Sequence, residues 1–522
     1  MSTITLKSTE GKWIMVATVL PSSMAFIDAT ALNVVLPSLQ HQLKASGSEL
    51  FWILNAYLLM LASLMLIGGS LGDRLGHKKV FMYGIICFTI GSATCGFAAD
   101  ATWLIICRLL QGAGGAFMIP GSLSLISSSI NENERGKAIG TWSSFTTLVM
   151  LGGPILGGAL ADAGLWRYIF FINVPIGIAA LLVLWRYVRE PERSAPTGAL
   201  DVKGALTIAA SLATLTYGAL SSASATGNHL QAWGSVLLGI VLLAAFVVIE
   251  NRSKSPMMPL NLFSNPTFTG ANLLSFFLYA ALGSAMLFIS LNLVQIQGYD
   301  QLQSGLSFLP FTILVLLFTR FSGFLSDKFG PRIFLTFGPL VAGAGLFFLS
   351  LQGQTKGPAD YWGTFFPGMI VFGTGMAFTV SPLTSTVMGA VRKELSGIAS
   401  GINNAITRIA NVFAYAIFGA LAVLFFSTQL RKEIKAVPLS ATETKQVIKE
   451  AENLGNAAVP GVITGVKATS VKKAYHTSFI HSYQLILRSS AVLALAAALM
   501  AFLMVKPGKI ESSELTRNQK VE

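Results

Sequence analysis

Charge is what this chain has least of. Only 11% of its 522 residues are charged against 53% hydrophobic, and the mean hydropathy is +0.65. A soluble domain needs a far more polar surface, so a water-soluble globule is excluded. Cysteine is scarce as well. Cys87, Cys95 and Cys107 fall in or beside apolar runs, in odd number and without ligand spacing, so neither a disulfide framework nor a thiolate metal centre is expected. His41, His77, His229, His476 and His481 all sit in expected loops or near helix ends. No His/Asp/Glu cluster falls within an apolar run, so metal binding and acid–base catalysis are not expected, and the chain does not read as an enzyme. A phosphate-cradling Gly-x-x-x-x-Gly-Lys-Ser/Thr loop is missing, which argues against ATP hydrolysis. The net charge of +13 lacks a basic stripe with interleaved aromatics, so nucleic acid is not an expected partner. The first apolar run, Trp13 to about Leu36, is too long for a signal-peptide core and reads as a retained helix.

What the chain does have is apolar runs of about 20 residues, each able to cross roughly 30 Å of hydrocarbon as a helix. The expected fold class is an all-α polytopic membrane protein with about fourteen transmembrane helices. Its 50 glycines suit close helix–helix approach. A motif is doubled: Gly69-Ser70-Leu71-Gly72-Asp73-Arg74-Leu75-Gly76-His77-Lys78 recurs as Gly323-Phe324-Leu325-Ser326-Asp327-Lys328-Phe329-Gly330-Pro331-Arg332. Each copy lies between two apolar runs, as expected of a carrier whose halves repeat in parallel. Asp73 and Asp327 stand 254 residues apart, whereas six helices with loops need only about 180 at roughly 30 residues each. The excess accommodates two inserted helices. The resulting division is a six-helix bundle over 13–188, an inserted pair over 202–250, and a second six-helix bundle over 268–505. The second bundle includes a long external loop at about 427–483, and 506–522 forms a tail. Most of the 36 Lys and Arg fall on the side of the termini and repeat loops, which places both termini in the cytoplasm.

Few charges lie well inside the runs: Asp28, Arg108 and Arg408, with Arg488 nearer a helix end. An ionisable group near the bilayer centre costs at least about 2.5 kcal/mol, so by default it faces a cavity and works there. Asp28 is the one carboxylate well within a span. Burial disfavours a charged carboxylate and a neighbouring arginine favours it. Asp28 therefore reads either as a proton-coupling site or as half of a permanent ion pair. Arg108 shares a helical face with Gln111 and Gly115, and Arg408 with Asn404, Asn411 and Tyr415. Arg408 is either a substrate or gate contact or a hydrogen-bonding anchor. Tyr57, Gln111, Phe276, Tyr279, Gln295, Asn404 and Arg408 are the candidate cavity residues. With Asp28 the single carboxylate found for the cavity, it suits lipophilic, neutral or acidic compounds at least as well as dications. Gly153, Pro154, Gly157 and Gly158 read as a kink with tight packing, and functionally as a hinge or seal.

Together these features resemble the major facilitator superfamily, in its fourteen-helix drug:proton antiporter branch. The match rests on the doubled loop, on Ile27-Asp28-Ala29-Thr30-Ala31-Leu32-Asn33-Val34-Val35-Leu36-Pro37, and on Arg108-Leu109-Leu110-Gln111-Gly112-Ala113-Gly114-Gly115-Ala116. It continues in Gly153-Pro154 through Gly158 and in Trp166-Arg167-Tyr168-Ile169-Phe170-Phe171-Ile172-Asn173-Val174-Pro175. Almost the whole chain is covered. The resemblance implies a proton-coupled exporter of amphipathic small molecules, working by alternating access in a bacterial cytoplasmic membrane. It implies proton coupling through Asp28 and Arg108. A cytoplasmic latch would be formed by Gly69, Asp73, Arg74, Gly76, Lys78, Asp327, Lys328 and Arg332. No cofactor is expected beyond the proton. The expected partners are a small-molecule substrate and the bilayer, with a periplasmic adaptor if the host is Gram-negative, and the monomer as the working unit. The alternatives are a dedicated carrier of one metabolite, siderophore or lipid, and a non-transporting receptor.

Overall fold

The computed structural model describes residues 4–188, 201–222, 229–253, 256–392 and 395–507. The side chains at Gly69, Asp73 and Arg74, and all of the tail beyond residue 507, lie outside the described residues. The first half consists of α1 (Thr9–Leu43), α2 (Gly47–Leu75), α3 (His77–Gly96), α4 (Ala101–Ser129) and α5 (Glu132–Asp162), followed by α6 (Tyr168–Phe171) and α7 (Asn173–Tyr187), which together make one crossing. Next come the inserted α8 (Val202–Ser222) and α9 (His229–Arg252). The second half opens with α10 (Pro266–Gln295), then α11 (Gln301–Ser307) with α12 (Leu309–Phe329) as one crossing, and α13 (Pro331–Leu349). It is completed by α14 (Phe365–Gly389), α15 (Ser396–Glu433), the short surface helix α16 (Ala441–Lys449) and α17 (Gly465–Met504).

Thirteen of these crossings are long and apolar enough to span a membrane by composition alone. The 31-residue α5, diluted by its Glu-, Arg- and Ser-rich start, brings the number of passages to fourteen. The all-helical fourteen-helix architecture expected from the sequence is therefore what is found. An even number of passages leaves both termini on one side, the side marked cytoplasmic by its Lys and Arg.

The repeat is visible in the packing. In the first half α4 packs on α2 and α3, while α1 packs on α5 and α7; α14 likewise packs on α12 and α13, and α10 on α15 and α17. The two repeat loops turn at Gly76 (φ 101°) and Gly330 (φ 89°). Each glycine ends one helix and begins the next in a conformation that side-chain-bearing residues rarely adopt, which is why glycine recurs there. The inserted pair is held together by Ser211 Oγ donating to Gly239 O at 2.8 Å. Its α8 packs through Ala205, Ile208 and Leu212 on Leu59 and Ala62 of α2 in the first half and on Ile409 and Phe413 of α15 in the second. The pair therefore spans the line where the halves meet. Its α9 turns Leu230, Leu237, Leu238 and Val241 outward, as a lipid-facing helix must.

Helices α15 and α17 run well past the apolar spans at their external ends, leaving 434–464 as the connecting segment. That segment folds back. Leu454, at φ 52°, is buried among Leu36, Leu50, Leu54, Leu287 and Leu291 from both halves.

Candidate functional site

Helix α4 starts at Asp100, whose carboxylate accepts the Trp103 N–H at 2.8 Å. Two turns on it presents Arg108 and Gln111 on one face. The glycines that follow bring α4 unusually close to its neighbours: a Cβ at Gly112 would stand 3.0 Å from Tyr57 Cα, and one at Gly114 2.6 Å from Phe88 Cα. Small residues here are what allow the polar side chains to reach α1 and α2.

At this contact Arg108 Nη1 donates to Asp28 Oδ2 and, at 2.8 Å, to Gln111 Oε1. Gln111 Nε2 completes the ring by donating to Asp28 Oδ1 at 2.9 Å. Arg108 Nε reaches Ile53 O at 3.3 Å, and its guanidinium lies over the Tyr57 ring, 4.4 Å from the centroid. Asp28, Arg108, Gln111 and Tyr57 are all at most 1% exposed, so a charge pair sits in the middle of the first bundle with no bulk water around it. Such a pair survives only with its remaining valences filled, and Gln111, Ile53 O and the Tyr57 face fill them.

Across the seam stands Arg408 of α15, half-buried and near enough to Tyr57, Tyr279 and Tyr415 for its charge to act on their hydroxyls. It makes no ion pair among the described residues, and its Nε is buried without a partner. Phe276 lies edge-on to Phe413, 6.0 Å between centroids, and Asn404 is exposed one turn toward the cytoplasm. Tyr57 and Tyr279 thus lie within reach of the Arg408 charge, with Phe276 and Asn404 on the same helices α10 and α15. Gln111 belongs to the Asp28 ring. Gln295 lies elsewhere, about 24 Å further along α10 than Tyr279 at 1.5 Å per residue. Arg488 is exposed on α17.

Gln295 belongs to the external seam, where polar residues unforeseen from the sequence meet. Its amide donates to Gln40 Oε1 at 3.1 Å, which also accepts from Asn456 at 2.7 Å. Asp162, at the end of α5, receives the Gln301 and Leu302 N–H groups at 2.8 and 2.7 Å, capping α11 from the opposite half. The motif glycines make this approach possible. A Cβ at Gly158 would stand 2.7 Å from Leu302 Cα, and one at Gly157 2.8 Å from Ala31 O, while Pro154 O faces Gly305. Glutamine and asparagine at the ends of apolar runs were the available signal for this seam. The described hydrogen bonds between the halves gather at this external end.

At the cytoplasmic repeat loops, Asp327 and Lys328 are exposed. Arg332 donates to Phe502 O and lies over the Phe502 ring, 4.7 Å from the centroid, which ties its loop to α17 of the same half.

Two repeated six-helix bundles, the first holding a buried charge network, define the architecture of a membrane transporter. The chain belongs to the major facilitator superfamily, whose family model matches residues 20–415. It is 28% identical over 482 residues to a tetracenomycin C resistance and export protein of Streptomyces glaucescens, covering 92% of this chain and 88% of that one. It is 30% identical over 428 residues to a multidrug resistance protein of Mycobacterium tuberculosis, covering 81% and 78%. In fold it is similar to a bacterial homologue of the human lysosomal transporter Spinster in an inward-facing conformation, with TM-score 0.67, 19% identity, and 96% and 98% of the two chains covered. It is a multi-pass cell-membrane transporter, and relatives of this kind are named for drug resistance and export.

Proposed function

We propose that this chain exports amphipathic small molecules in exchange for protons, with the proton as coupling ion and no other cofactor. The observation that carries the reading is Asp28: a fully buried carboxyl at mid-depth in α1, bonded to Arg108 and Gln111, beside a Tyr57 that feels both its charge and that of Arg408 of the opposite half. A proton arriving at Asp28 cancels its attraction for Arg108, so protonation changes how the first bundle is tied together. Export of tetracenomycin C and multidrug resistance, the properties for which the two relatives are named, support the direction and the breadth. The working unit is the monomer, joined by a periplasmic adaptor in a Gram-negative host.

The substrates this site fits are lipophilic and neutral or acidic. Asp28 is already neutralised by Arg108, whereas Arg408 offers an uncompensated guanidinium beside Tyr279 and Tyr415. A hydrogen bond to a charged group is worth about 1.5–3 kcal/mol, or roughly 10- to 150-fold in affinity. Arg408→Gln is accordingly expected to weaken binding of acidic compounds by at least about tenfold, with neutral compounds little changed. Efflux from proteoliposomes under an imposed pH gradient, with pairs of neutral and acidic lipophiles, tests both points. Competition among many unrelated lipophiles supports the multidrug reading, and strict selectivity for one compound supports the dedicated carrier. An unchanged acid-to-neutral ratio in Arg408→Gln removes Arg408 from substrate recognition.

A further inference from the structure

The inserted pair carries two carboxyl groups that the Asp28 network does not involve. Asp201 caps α8, its Oδ1 accepting the Gly204 N–H at 2.8 Å. Glu250 lies in the last turns of α9, only 2% exposed, and its Oε2 accepts the Met258 N–H at 3.1 Å. The two side chains meet over Gly204: a Cβ there would stand 2.8 Å from Glu250 Oε1 and 3.0 Å from Asp201 Cγ, and the carboxyls are within hydrogen-bond reach of each other. Yet Glu250 Oε1 and Asp201 Oδ2 are both buried, and neither has a donor among the described residues. Asp201 is the charged group that acts on Glu250. Lys203 and Arg252, the described cations nearest in sequence, are exposed, and the faces that α2 and α15 turn to α8 are built from Leu59, Ala62, Ile409 and Phe413.

Two carboxylates this close, one of them buried and with no paired cation among the described residues, do not both stay ionised. Asp201 sits at a helix N-terminus with an N–H donor, which favours its charged form. Glu250 is the more deeply buried of the two, 2% exposed beside the half-buried Asp201, so it is the group that holds the proton and presents it to Asp201. We propose that Asp201 and Glu250 form a proton-binding site at the cytoplasmic end of the inserted pair, one proton bridging the two carboxyls. The bridge ties together the start of α8, the end of α9 and the Met257–Met258 segment that leads toward α10. Because α8 touches both α2 and α15, loss of the proton loosens a support of the seam between the halves. The docked pair binds one more proton than the released pair, so docking weakens as cytoplasmic pH rises. This site is independent of Asp28 and of the identity of the substrate.

The test uses the full chain in nanodiscs, by pH-difference infrared spectroscopy and by thermal unfolding across the pH range. Wild type should show a protonated-carboxyl C=O band that Asp28→Asn keeps and Glu250→Gln loses. Glu250→Gln, whose amide donates to Asp201 at any pH, should flatten the fall of Tm with rising pH, and Asp201→Asn should do the same. Persistence of the band in Glu250→Gln, or pH–Tm curves for both variants that superimpose on wild type, overturns the proposal. Should Glu250→Gln fail to fold, the Asp201→Asn pH–Tm curve alone decides: flattening supports the bridge and superposition overturns it.

Discussion

Asp28→Asn is expected to reduce pH-gradient-driven efflux to the level of protein-free liposomes, while substrate exchange down its own gradient continues. Asparagine keeps the shape and still accepts from Gln111, but it cannot give up a proton. Coupling is therefore lost at the step where Asp28 would be deprotonated, whereas movements that need no proton release remain. The substitution also leaves Arg108 buried without its counter-ion. Breaking a buried pair from one side costs about 3–5 kcal/mol, partly offset here by the bonds of Arg108 to Ile53 O and Gln111 and by its seat on the Tyr57 ring. A lowered Tm is thus part of the expected result, and a second variant separates it from coupling. Asp28→Asn combined with Arg108→Gln removes both charges, and the two effects on Tm should fall short of additive because the residues share one network. Stability should recover toward wild type while proton-driven efflux stays absent. Wild-type rates of pH-driven efflux in Asp28→Asn would sink Asp28 as the coupling group. Recovery of coupling in the double variant would do the same.

Much of this arrangement is legible in the amino-acid order, for reasons that differ from residue to residue. Asp28 stands out because a carboxylate in an apolar run is expensive, and Arg108 with Gln111 because a spacing of three places them on one helical face. Gly76 and Gly330 declare their turns because the backbone there needs positive φ. That α1 and α4 bring Asp28 onto Arg108 is a long-range packing fact, and no local pattern contains it. The same holds for the capping of α11 by Asp162, which joins residues in different halves. Gln295 illustrates a different difficulty. Its polarity suits a cavity, but α10 is one continuous helix, so a residue at its last position can only lie at the membrane face. Glu250 sits at the edge of its run, where a carboxylate looks solvated until the fold covers it with the α8 start.

Gly158→Ala is expected to hold the external seam open, and Gly152→Ala in the same helix is expected to do nothing harmful. The two substitutions add one methyl group each, to a helix of the same composition. At Gly152 the new Cβ meets open space, nothing lying within 4 Å. There the usual gain in helix propensity, up to about 1 kcal/mol, applies unopposed. At Gly158 the Cβ would press on the Gln301 carbonyl and stand 2.7 Å from Leu302 Cα. Those are backbone atoms at the start of α11, fixed by the Asp162 carboxylate, and they cannot rotate aside. Overpacking of this kind costs about 1–3 kcal/mol, and it applies only while the seam is shut. Charged wholly to one state, that cost shifts the equilibrium toward the externally open form by roughly 5- to 150-fold. Ser38, which meets Gln301 across the seam, is the natural reporter. Labelling of Ser38→Cys by a membrane-impermeant maleimide should accelerate in the Gly158→Ala background and not with Gly152→Ala. Efflux should slow in parallel, because a carrier that cannot close outside cannot return its site to the cytoplasm. Equal labelling in the two backgrounds would mean that the glycine serves the helix and not the seal, and that closure rests on the amides of Gln40, Gln295 and Asn456 instead.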